Sequence, residues 1–106
     1  MPYPFLAVPL ALHLIVASGG SVPTMDVRPS CRAAAATQTS IADRMQACIA
    51  SEQNAYDQLV KQWTKYTTVD RSHCVRAMTD FEPTYTELLT CLEMANDVRK
   101  LPEELY

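Results

Sequence analysis

The sequence predicts a small all-α domain stapled by disulfides, and three observations carry that reading. Four cysteines, Cys31, Cys48, Cys74 and Cys91, follow an apolar leader, and an even cysteine count in a short chain of this kind marks a disulfide framework. Two stretches repeat apolar residues every three or four positions, the period of an amphipathic helix. No alternating run is bounded by an Asn-Gly or Asp-Gly turn, so no β-hairpin pattern competes.

The chain has 106 residues, which suits one domain. Phe5 to Ala17 is almost continuously apolar. A membrane span needs roughly 20 such residues, so the stretch fits the apolar region of a signal peptide. Small residues at Ala17, Ser18 and Gly19 place the expected cut after Gly19. The leader lacks the usual lysine or arginine start, and Pro9 and His13 interrupt it. The expected organisation is a signal peptide over 1–19, a flexible lead-in over 20–29, a four-cysteine helical domain over 30–101, and a loose tail over 102–106.

Residues 20–29 hold Pro, Gly and Ser without periodicity and read as an extended, mobile segment. Ser30 is a candidate N-cap for a short helix near 31–36, whose alanines favour helix. The strongest helix is expected over 41–66. Ser40 and Asp43 give an S-x-x-D start. Ile41, Met45, Cys48, Tyr56, Leu59, Trp63 and Tyr66 form its stripe, and neither Gly nor Pro breaks it. A short helix follows near 70–78, started by Asp70 or Thr68. The last helix is expected over 84–100, because Pro83 suits a first turn and Thr84 to Glu87 form a capping box. Arg99 and Lys100 complement its carbonyl end and Pro102 stops it. The two long helices are expected to lie antiparallel, with the short helices pinned to them.

Four cysteines allow three pairings. The long helix would span about 39 Å at 1.5 Å per residue. Cys31 and Cys48 then lie near its start, and Cys74 lies near its far end. Reach favours Cys31–Cys48 and Cys74–Cys91, with Cys48–Cys91 plus Cys31–Cys74 as runner-up. Each closed loop of about 17 residues would contribute roughly 3 kcal/mol through the unfolded chain. A small core needs such staples.

Composition narrows the function. Every charged residue lies after Gly19, and the net charge is −3. A mildly acidic, mixed surface excludes nucleic acid, which calls for a basic face. It also excludes binding to an anionic membrane once the leader is removed. His73 beside Cys74 does not make a metal or nucleophile site, since neighbours on a helix point about 100° apart. The methionines are dispersed and read as core filling. No metal, cofactor or enzymatic activity is expected.

Two places remain as candidate sites. Glu52 fills a core-facing slot of the long stripe between Cys48 and Tyr56. The preferred reading is that the stripe widens there to a solvated edge. If Glu52 is buried it needs a partner, with Arg71, Arg76 and Arg99 available, and it becomes a pH-responsive group. Trp63 and Tyr66 read as core aromatics; if exposed, they mark a contact patch for a partner.

The segments SCRAAA from Ser30, DQLVKQW from Asp57, DRSHCV from Asp70 and YTELLTCLEMANDVRKL from Tyr85 resemble a group of small exported four-cysteine helical proteins of alphaproteobacteria, especially rhizobial relatives. The resemblance spans Cys31 to Leu101. It implies an envelope or secreted location and a compact helical domain, and brings no catalytic or binding residues with it. The function expected by elimination is a small non-enzymatic periplasmic or secreted protein that binds an unknown protein partner. An acid- or stress-responsive chaperone-like role is one alternative, motivated by the twelve acidic residues and Glu52. A thiol redox role is another and needs a free or labile cysteine.

Overall fold

The computed structural model describes residues 21–36, 40–78 and 83–105. They form four helices: α1 (Arg28–Ala35), α2 (Ile41–Gln62), α3 (Thr68–Met78) and α4 (Tyr85–Arg99). Short 3-10 turns follow α2 at Trp63–Lys65 and α4 at Glu103–Leu105. Among the described residues there is no strand, and the all-α reading holds. The expected signal peptide lies outside the described residues.

Local chemistry sets each start. The Asp26 carboxylate accepts the Arg28 backbone N–H at 3.1 Å and pairs with its guanidinium, satisfying a free donor of the first turn. With Pro29 also in that turn, α1 begins three residues earlier than expected, and Ser30 lies inside it rather than capping it. Ser40 precedes α2 in a left-handed conformation, φ 61°, and makes no side-chain cap. The expected S-x-x-D signal marks the correct place without its hydrogen bond. Thr67, rather than Thr68 or Asp70, caps α3 by accepting the Asp70 N–H at 3.1 Å. Thr84 caps α4 as its motif predicts, accepting the Glu87 N–H at 3.0 Å.

Both expected cystines form, Cys31–Cys48 and Cys74–Cys91, with Cα separations of 5.5 and 5.8 Å. Each ties a short helix to a longer one. Among the helices, α1 packs only on α2, and α3 packs only on α4. The main core lies where α2 and α4 meet. Leu59, Leu88 and Leu92 are fully buried there, joined by Trp63, Tyr66, Cys74 and Met78. Cys31 and Ala35 are buried on α1 but stand outside that cluster.

The relative direction of the long helices differs from the expectation. Glu52 and Tyr56 of α2 meet Tyr85 at the start of α4, while Asp70, beyond the end of α2, meets Arg99 at the end of α4. The second half of α2 and α4 therefore run in the same sense. The 11 residues of α3 reverse the chain over about 16 Å and return it to the middle of α2. Two reversals leave α4 parallel to α2. Cys74 and Cys91 face each other because α3 and α4 are antiparallel neighbours.

The lead-in is not a free segment. Val22 is buried in the core cluster, and Met25 and Val27 pack against it. The Met25 N–H donates to the Tyr85 hydroxyl at 2.7 Å. Its apolar residues, spaced every two or three positions, find a seam beside α4 that local composition does not reveal. The tail forms a 3-10 turn with Glu103 and Glu104 exposed.

Candidate functional site

The site is built on Glu52, at the midpoint of α2. The expected solvated edge is corrected by the structure: Glu52 is 6% exposed, the one buried charged residue among those described. Its partners are not the arginines proposed from the sequence. Oε1 accepts the N–H of Tyr85 at 2.6 Å and the N–H of Thr86 at 3.4 Å. Oε2 accepts the Thr86 hydroxyl at 2.5 Å. Tyr85 and Thr86 open α4, where backbone donors lack helical acceptors and the helix dipole is positive. A carboxylate from α2 satisfies both. Packing places Glu52 there because α4 begins beside the middle of α2.

The arginines go elsewhere. Arg71 lies 5.5 Å from the centroid of the Trp63 ring, a cation–π distance. Arg99 grips Asp70 through two hydrogen bonds, at 2.6 and 2.9 Å. These bonds hold the Asp70 carboxyl below the ordinary aspartate range, against a smaller opposing effect of burial. Arg76 is exposed on α3.

Trp63 and Tyr66 do not form a contact patch. They are 5% and 4% exposed and belong to the core. Trp63 continues the apolar face of α2 through its 3-10 turn, and Tyr66 turns inward as the chain becomes extended. The Tyr66 hydroxyl donates to Gln62 Oε1 at 2.8 Å. Burial raises it above the ordinary tyrosine range, and the Glu93 charge adds to the effect.

Beside Glu52 a groove of about 240 Å³ opens between the lead-in, α2 and the start of α4. Met25, Ile49, Gln53, Tyr56 and Tyr85 line it with Glu52. The Tyr56 and Tyr85 rings lie 4.9 Å apart at 68°, an edge-on pair forming one corner. Tyr85 thus contributes its backbone N–H to Glu52, its ring to the groove and its hydroxyl to Met25. Sequence reading missed Met25, Gln53, Tyr85 and Thr86. One signal could have found two of them: the Thr84 capping box locates helix donors at Tyr85 and Thr86, and Glu52 is the acidic residue interrupting an apolar stripe.

The fold and its cystines define a small disulfide-stapled all-α domain, suited to an oxidising environment. No described helix is long and apolar enough to cross a membrane. All four cysteines are paired. No family model, curated protein or solved structure matches the chain.

Proposed function

We propose that the chain is a small non-enzymatic protein of the periplasm or the extracellular space that acts by binding another protein, and that it belongs with the exported four-cysteine helical group its sequence resembles. The observation that carries the binding reading is the groove at Glu52. It sits where three parts of the chain converge, has apolar and aromatic walls, and holds a buried charge, the mixture typical of recognition sites. Exposed Val60 and half-exposed Ile49 extend apolar surface along α2.

A photo-crosslinking side chain at exposed Gln53, compared with one at exposed Ser72 on α3, tests this reading in an envelope extract. Crosslinking to one protein from Gln53 and not from Ser72 is expected. Equal labelling from both positions, or none from Gln53, would count against it. The intact mass of the exported protein tests the location: a chain beginning at Gly20 with four hidden thiols is the expected result.

An acid-responsive role is a second reading, favoured by the burial of Glu52. Protonating Glu52 replaces an acceptor of three hydrogen bonds with a group that also donates, at the point joining α2 to α4. With disulfides intact, binding of a dye for apolar surface should rise between about pH 7 and about pH 2. A flat response would end this reading.

A further inference from the structure

We infer that the groove receives a primary ammonium group, the end of a lysine side chain on a partner, against the Glu52 carboxylate and the Tyr56–Tyr85 corner. The inference rests on the protein-binding reading and names the side chain the partner offers.

Charge comes first. A buried carboxylate is costly unless it is paired and hydrogen-bonded. Glu52 has three donors, all uncharged: two backbone N–H groups and one hydroxyl. All nine lysines and arginines of the chain fall among the described residues, and none forms an ion pair with Glu52. The ion pairs resolved there go to Asp26, Asp70 and Asp97. The dipole of α4 compensates the charge in part. A cation entering the groove would complete the pairing.

Acceptor capacity then selects the cation. An ionised carboxylate offers about four lone-pair sites. Two on Oε1 and one on Oε2 are taken, leaving one on Oε2. A guanidinium fork binds best to two free carboxylate positions, which Glu52 no longer has. A quaternary ammonium has no N–H to give. A primary ammonium is a compact charge that can donate to the single remaining site.

The walls match the rest of a lysine. Tyrosine rings attract cations through their electron-rich faces. Met25 and Ile49 suit the apolar stem of a side chain whose charged end is held elsewhere. The groove, about 240 Å³, lies below the range of about 300–1,000 Å³ that holds a drug-sized molecule. It fits one side chain rather than a whole ligand.

The test uses the oxidised, full chain labelled with ¹⁵N and titrated with n-butylammonium. Saturable shifts of the Tyr85, Thr86 and Gln53 amides are expected. Neutral 1-pentanol should bind about tenfold more weakly or worse, the loss of a charge-assisted contact. E52Q should weaken butylammonium by a similar factor. Because E52Q also touches the start of α4, Tyr56→Leu serves as a second variant: it alters one half-buried wall and should weaken binding by about threefold or more, with distant amides unmoved. Equal shifts from pentanol, equal affinity for butylguanidinium, or no effect of either variant would overturn the inference. N-acetyl-lysine methylamide decides the source. Binding at least as tight as butylammonium supports a partner's lysine, and no binding overturns it. If butylammonium fails while Gln53 still crosslinks to one protein, the ammonium site falls and the protein-binding reading stands. If butylammonium binds and Gln53 crosslinks to nothing, the partner falls and the ammonium site remains.

Discussion

The two cystine-stapled hairpins, α1 with the first half of α2 and α3 with α4, close loops of the same length, each joining residues 17 apart. Their settings differ. Cys74 belongs to the main core cluster, and Cys91 packs against it. Cys31 is fully buried, yet its hairpin stands outside that cluster and touches the other helices only through α2. Equal loops restrict the unfolded chain equally, so any difference between the two bonds must come from the folded state. One staple holds a core element and the other holds an arm.

Removing each bond tests that contrast. Replacing Cys74 and Cys91 by Ala should cost about 2–5 kcal/mol and lower hydrogen-exchange protection across α2, α3 and α4 together. Replacing Cys31 and Cys48 by Ala should cost a similar amount or less by denaturant unfolding, with early loss of protection confined to α1 and the start of α2. Global loss in the second variant would show that the arm is part of one cooperative unit.

Glu52 joins the hairpins, and truncating it comes next in size. Glu52→Ala leaves the Tyr85 and Thr86 donors without their acceptor and should cost about 1–3 kcal/mol. E52Q retains one acceptor oxygen and should cost less. Equal costs in chemical denaturation would mean that charge, rather than hydrogen bonding, carries the contact.

Thr84→Ala removes the side-chain cap of α4 and should cost about 1 kcal/mol. The same change at Ser40, which makes no cap hydrogen bond, should cost markedly less. Similar values in thermal melts would erase this difference between the two helix starts.

The smallest effect is expected at Asp70 and Arg99, which tie the start of α3 to the end of α4. Half the Arg99 side chain is exposed, so solvent screens the pair and Asp70→Asn should cost about 0.2–1 kcal/mol. Because the folded Asp70 carboxyl lies below its ordinary value of 3.8, its contribution is complete above that pH. It is lost as the pH falls from there through the folded value. The difference in stability between wild type and Asp70→Asn should shrink on acidification over that range. A constant difference would assign the effect to packing.

Much of this architecture follows from local sequence. Apolar spacing in α2 and α4, the Thr84 cap and the stop at Pro102 act within a few residues, where propensity and hydrogen bonding are decided. The cystine pairing was also legible, since short connections bring each pair within reach. The sequence left open what long-range packing settles. The direction of α4 depends on how far α3 carries the chain back. The lead-in packs only because α4 supplies a seam, and Trp63 and Tyr66 are buried in a cluster built from the lead-in, α2, α3 and α4 together. Glu52 is the sharpest case. Its slot in the stripe was visible, but its partner was not, because the donors belong to a helix that begins 33 residues later. Periodicity shows which face of a helix turns inward; only the tertiary structure decides what that face meets, since the meeting depends on chain reversals whose geometry no local pattern contains.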